Sequence, residues 1–173
     1  MIKKENLDIY LIKKDDYSKD TFKSILNKVT KNDDLEISYN KFGKPFFNNY
    51  RDLFFNKSDK DEIIALAFND NEIGVDIESI NIKYPNIKKY FNKYNYNENL
   101  LWSIIESSIK FLGLSAFSFK DFSIINIDYH NNMYYSIVKY KEERTIYVTS
   151  KINDLYFISV ASNKNFIFNF INV

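Results

Sequence analysis

The hydrophobic pattern of this chain has a period of two along most of its length and changes to helical spacing at only two places. That restricts it to folds in which a few helices pack on extensive sheet. Residues 7–13 (LDIYLIK) alternate and are rich in strand formers, after which residues 17–29 place Phe22, Ile25, Leu26 and Val29 at helical spacing. Alternation returns over 34–39 (DLEISY) and stops at Gly43-Lys44-Pro45, because proline has no amide to donate to a ladder. Residues 62–68 read as a continuous apolar strand, Asn69-Asp70-Asn71 as a tight turn, and 72–78 (EIGVDIE) as the returning strand of a hairpin. The second helix falls at 97–112, with Leu100, Leu101, Ile104, Ile105 and Ile109 apolar and Gly113 placed to end it in left-handed backbone. Four alternating segments follow at 121–128, 133–140, 144–150 and 155–162, with Asn131-Asn132 as a turn and 166–171 as a final strand. The order strand, helix, strand occurs near 7–39 and again near 72–128. The expected fold is therefore α+β, one domain over 1–173 made of two similar lobes, approximately 1–70 and 71–173, each a helix packed on a mostly antiparallel sheet.

Composition narrows the function. With 24 Lys+Arg against 23 Asp+Glu, the formal net charge is +1, too little for the basic field that a duplex-binding protein uses to displace counterions. No nucleic-acid partner is expected. The chain has no cysteine, which excludes disulfides, Cys-based zinc sites and a thiol nucleophile. A hydrophobic fraction of 45% is ample for a packed core and excludes global disorder. After the basic start Met1-Ile2-Lys3-Lys4, the apolar run Ile9-Tyr10-Leu11-Ile12 is too short for a leader, and the longest one, 63–68, falls far below the ~20 residues of a membrane span. A soluble cytoplasmic protein with no membrane partner is the expectation. His130, the single histidine, sits among turn formers and reads as exposed and inert, and the Tyr/Phe-rich tail reads as sheet core.

Three acids stand out. Asp76 and Glu78 are at i and i+2 on one strand, so their carboxylates share a face while Val75 and Ile77 share the other. This is either the wet side of an amphipathic strand or a pair of ligands. Gly74 before them marks a bulge or a place where another backbone or a ligand comes close. Trp102, Glu106 and Lys110 form a stripe at i, i+4 and i+8 along the second helix. On a wet face a Glu/Lys pair contributes only ~0.2–0.5 kcal/mol, but Glu106 lies among Ile104, Ile105 and Ile109, at the border of the buried face, which suits a ligand better. Three carboxylates with no Cys and no nearby His favour a hard cation, Mg²⁺ before Zn²⁺. Lys44, Lys57 and Lys110 are candidates to counter phosphate charge.

The Gly43-Lys44-Pro45 loop, the Gly74-Val75-Asp76-Ile77-Glu78 strand and the helix carrying Trp102, Glu106, Lys110 and Gly113, in this order, resemble the 4′-phosphopantetheinyl transferase superfamily. The family pattern is a G-K-P loop, a G-[IV]-D-x-E strand and a W-[ST]-x-K-E-[AS]-x-x-K helix, and the resemblance covers roughly residues 40–162. It implies the longer, monomeric branch with a shortened N-terminal lobe. It further implies that Asp76, Glu78 and Glu106 hold Mg²⁺ and orient the coenzyme A pyrophosphate. Glu106 and Lys110 would be catalytic, as the base for the attacking serine and as the cation at the phosphate under attack. Lys44, Lys57 and Lys110 would bind coenzyme A, and Trp102 would pack. The implied reaction is transfer of the 4′-phosphopantetheine group from coenzyme A to a serine of an acyl or peptidyl carrier protein. The sequence departs from the pattern at Asn56-Lys57-Ser58, where the family carries Ser-His, and at Ile105, where it carries lysine before the glutamate. It also lacks a basic stretch for the adenosine 3′-phosphate. A degenerate member that binds without catalysis is the alternative implied by these departures, and a structural domain with all three acids solvated is the other.

Overall fold

A computed structural model describes residues 5–31, 35–81 and 89–173. The residues 1–4 read for a leader, and residue 34 at the start of the second alternating stretch, lie outside these. Among the described residues, strands hold 48% and helices 25%, and the class is α+β.

The elements run β1 (Glu5–Lys13), α1 (Lys19–Thr30), β2 (Ile37–Tyr39), β3 (Pro45–Phe47), β4 (Phe54–Lys60), β5 (Ile63–Asn69), β6 (Gly74–Ser79), α2 (Glu98–Leu112), β7 (Phe122–His130), β8 (Met133–Tyr140), β9 (Arg144–Asn153), β10 (Tyr156–Ser162) and β11 (Phe166–Asn172). Local chemistry sets their ends. Ser18 caps α1 by accepting the Thr21 amide at 3.1 Å, and Asn97 caps α2 by accepting the Asn99 amide at 2.9 Å. Gly113 closes α2 at φ 63°, and Asn131 and Asn132 (φ 53° and 57°) make the two-residue turn between β7 and β8.

One sheet has the order β11-β1-β5-β4 and a second β6-β10-β9-β8-β7, while β2 and β3 form a separate ribbon. The first sheet is antiparallel except where β11 runs parallel to β1; the second is antiparallel throughout. Alternation explains the layering. Tyr10, Ile12, Ile64, Leu66 and Phe68 point to α1 and meet Phe22, Ile25 and Leu26. Ile9, Leu11, Ala65 and Ala67 point the other way and meet Val75, Ile77, Ile158 and Val160 of the second sheet. The far face of that sheet, with Val138, Ile146, Val148 and Phe157, takes the apolar side of α2.

One expectation is corrected. β5 and β6 are not a hairpin: β5 pairs with β1 and β4, and β6 pairs with β10 in the other sheet. The turn that does make a hairpin precedes β5, joining Lys60 to its partner Ile63 with Asp61 at φ 49°. The Asn69-Asp70-Asn71 segment instead carries the chain from one sheet to the other. β11, from the end of the chain, lies beside β1 in the first sheet, so a division of the chain near residue 70 does not coincide with the division of strands between sheets.

Candidate functional site

All six residues of β6 are buried. Asp76 is 1% exposed and Glu78 6%, which removes the wet-strand reading of this pair. Val75 and Ile77 fill the core between the sheets, so the carboxylates point toward α2. The helix lies very close to the strand. A Cβ on Gly74 would stand 2.1 Å from the Ser107 carbonyl oxygen and 2.2 Å from the Phe111 amide nitrogen, so only glycine fits there. Small buried side chains on α2 keep that approach: Ser103 Oγ donates to Ser159 Oγ at 2.9 Å, and the Ser107 and Ser108 hydroxyls donate to the Ile104 carbonyl at 3.0 and 2.8 Å.

Glu106 and Lys110 on α2 thereby reach β6. Asp76, Glu78 and Glu106 each offer a carboxylate oxygen, and the three oxygens lie within 4.8 Å of one another. Lys110 Nζ is 2.7 Å from Asp76 Oδ1 and 3.8 Å from Glu106 Oε1, and it donates to Ser58 Oγ at 2.7 Å. Ser58 Oγ donates to Asp76 Oδ1 at 3.1 Å, and Lys60 Nζ is 2.8 Å from Glu78 Oε2. Asp76 Oδ2 is buried with no hydrogen-bond donor, although an orphaned buried carboxylate oxygen is costly. A cation in the midst of the three acids would satisfy it, and oxygen-only donors suit a hard metal ion. The residues present therefore fit a metal ion.

The electrostatics agree with an incomplete cluster. Burial, then the charges of Asp76 and Glu78, push the Glu106 carboxyl up to about 7 against the opposing pull of Lys110. Burial alone would lower Lys110, but Asp76 and Glu106 outweigh it and hold the ammonium above its ordinary range.

The other site candidates are distributed differently. The Asn40 side chain organises the Gly43-Lys44-Pro45 loop: its Oδ1 accepts the Phe42 and Lys44 amides at 2.9 Å each, and its Nδ2 donates to the Gly113 carbonyl at 3.0 Å. Lys44 Nζ donates to the Phe111 carbonyl at 2.5 Å and lies 3.6 Å from Glu72. Its ammonium thus serves the C-terminal end of α2, where a positive charge is favoured, and burial pushes its pKa down. Lys57 faces away from the acids, with Nζ 4.6 Å from the centre of the Tyr17 ring. Lys44, Lys57 and Lys110 nevertheless line one cleft of about 540 Å³, together with Tyr17, Tyr39 and Phe42. Trp102 packs edge-on to Phe119 at 6.0 Å. Ile105 is buried in the core beneath α2, so the side chain preceding Glu106 does not face the cluster. His130 is exposed and stacks on Tyr135 at 4.3 Å.

Of the β4 residues the sequence points to Lys57 and not to Asn56, Ser58 and Lys60. These three share the opposite face of the strand, with Asn56 Oδ1 accepting the Val75 amide at 2.9 Å. Their period-two spacing was the available signal, but it carries no information that β4 runs beside β6. Among the described residues no helix is long and apolar enough to cross a membrane. No protein-family model matches the chain, and no curated protein matches it significantly.

Proposed function

We propose that this protein is a Mg²⁺-dependent 4′-phosphopantetheinyl transferase, a cytoplasmic monomer of two similar lobes that acts on coenzyme A and an acyl or peptidyl carrier protein. The observation that carries the reading is the convergence of Asp76 and Glu78 from β6 with Glu106 and Lys110 from α2, residues that the motif order singles out. The cleft beside Lys110 supports it by offering aromatic walls and lysines to a nucleotide-bearing substrate.

In this reading the carrier serine oxygen attacks the β-phosphorus of coenzyme A. A phosphorus–oxygen bond to serine forms, the bridging bond to the α-phosphate breaks, and adenosine 3′,5′-bisphosphate leaves. When bound, Mg²⁺ would supply charge neutralisation to the diphosphate. Glu106, whose carboxyl burial makes more basic than usual, accepts the serine proton when ionised. Lys110, kept cationic by Asp76, stabilises charge on the phosphoryl oxygens. Asp76, Glu78 and Glu106 would hold the metal, and Lys57 offers a cation to the coenzyme phosphates from the cleft wall.

The engagement of Lys44 by the Phe111 carbonyl favours one second reading, a noncatalytic relative that binds a partner through the same face. Mass spectrometry of an apo carrier protein incubated with this protein, coenzyme A and Mg²⁺ separates the two. The transferase gives a Mg²⁺-dependent gain of ~340 Da, one phosphopantetheine arm, as this phosphoryl transfer requires. No gain across several carrier proteins, with no coenzyme A binding, supports the noncatalytic relative.

A further inference from the structure

The acid cluster is partly balanced from within the chain. Among the described residues, the three carboxylates face the ammonium groups of Lys110, on Asp76 and Glu106, and of Lys60, on Glu78. The two lysines differ in setting. Lys110 is built in, donating to both Asp76 and Ser58 from the middle of the helix–strand contact. Lys60 stands at the end of β4, and its side chain keeps 20% of its surface in water while its partner Glu78 keeps only 7%. A lysine stem is flexible, and its ammonium can withdraw to solvent where a buried carboxylate cannot.

We infer that Lys60 is an internal counter-ion that sets how tightly this site holds a divalent cation. The inference rests on the metal reading of the cluster and goes beyond it by assigning a role to a residue outside the motifs. Lys60 occupies the Glu78 carboxylate in the metal-free protein, and a cation arriving among the three acids meets both the loss of that partner and the repulsion of a nearby like charge. In a partly buried setting such repulsion is weakly screened. The orphaned Asp76 Oδ2 independently marks the place where a cation belongs, since neither lysine serves it. Lys60 therefore keeps the unliganded cluster folded and makes metal binding weak on its own. A diphosphate-bearing ligand, which offers the ammonium a new anionic partner, would strengthen it.

The test is Mn²⁺ titration of the full chain at mildly alkaline pH, by calorimetry and by the electron paramagnetic resonance of free Mn²⁺. Wild type is compared with Lys60→Met and Lys60→Gln. Both variants are expected to bind Mn²⁺ at least about tenfold more tightly, as removal of one nearby positive charge implies. Because Glu78 loses its ion pair with Lys60, both are also expected to unfold at lower temperature without metal and to gain more than wild type when Mn²⁺ is added. Equal or weaker binding by the folded variants, with wild type binding Mn²⁺, overturns the counter-ion assignment and leaves the metal reading standing. Failure of all three proteins to bind overturns both.

Discussion

The two helices cover the outer faces of the two sheets, yet they meet those sheets with different chemistry. α1 buries Phe22, Ile25 and Leu26, all apolar, against an apolar sheet face. α2 buries ten residues, and Asn99, Ser103, Ser107 and Ser108 are among them. A helix that presents large apolar side chains stands off from its sheet by the thickness of those side chains. One that presents serines against a glycine comes close enough for its backbone to touch the strand, as Gly74 and Ser107 do. Such closeness is tolerated only when every buried hydroxyl and amide has a partner. The serine bonds to Ser159 and the Ile104 carbonyl, and the Asn99 Nδ2 donation to the Ser79 carbonyl at 2.6 Å, supply those partners. The difference shows why the acids gather at α2 alone: its close seat lets Glu106 and Lys110 reach side chains on β6, while α1 contributes scaffold.

Breaking the close seat should have the largest effect. Gly74→Ala drives a methyl into backbone on two sides and is expected to cost about 4 kcal/mol or more, because neither helix nor strand can yield locally. Urea denaturation measures it, and a loss under about 1 kcal/mol would mean that the helix is free to shift. The counterpart under α1, Ile25→Ala, is expected to cost about 3 kcal/mol through an ordinary cavity. Mn²⁺ affinity of the folded Ile25→Ala protein should stay at the wild-type value; a drop would show that α1 also positions the acids.

A smaller effect separates the helices by pH. The Glu106 carboxyl is raised in the folded protein to about 7 from 4.5, so the folded state binds its proton more tightly than the unfolded state does. Its contribution to metal-free stability is complete below about pH 4.5 and is lost as pH rises through about 7, in total at most about 3 kcal/mol. Glu106→Gln should flatten that fall and exceed wild type in stability at alkaline pH without metal. Thermal unfolding across this range checks it, and parallel curves for the two proteins would show that Glu106 ionises freely.

Much of this was legible in the sequence, for reasons that also explain what was not. The α2 boundaries follow from local chemistry, Asn97 at one end and Gly113 at the other. The spacing of Asp76 and Glu78 correctly gave them a common face. Alternation says which residues share a face but not which strand lies alongside, since pairing is decided by residues distant in the chain. For that reason the 62–78 segment looked like a hairpin although β6 pairs with β10. The same limit hid Ser58 and Lys60, which matter only because the edge of one sheet passes the edge of the other. The role of Lys44 was obscured because its partner, the Phe111 carbonyl, belongs to a helix end 67 residues away. Sequence order alone could not show that β11 completes the sheet begun by β1.

The most direct measurement is anomalous diffraction from a crystal of this protein soaked in Mn²⁺. A single anomalous peak bonded to carboxylate oxygens of Asp76, Glu78 and Glu106, with Lys60 withdrawn from Glu78, is the predicted result. No peak at saturating Mn²⁺, with Lys60 and Lys110 still seated on the acids, would contradict the account, leaving the cluster as a buried ion-pair network that joins α2 to the two sheet edges.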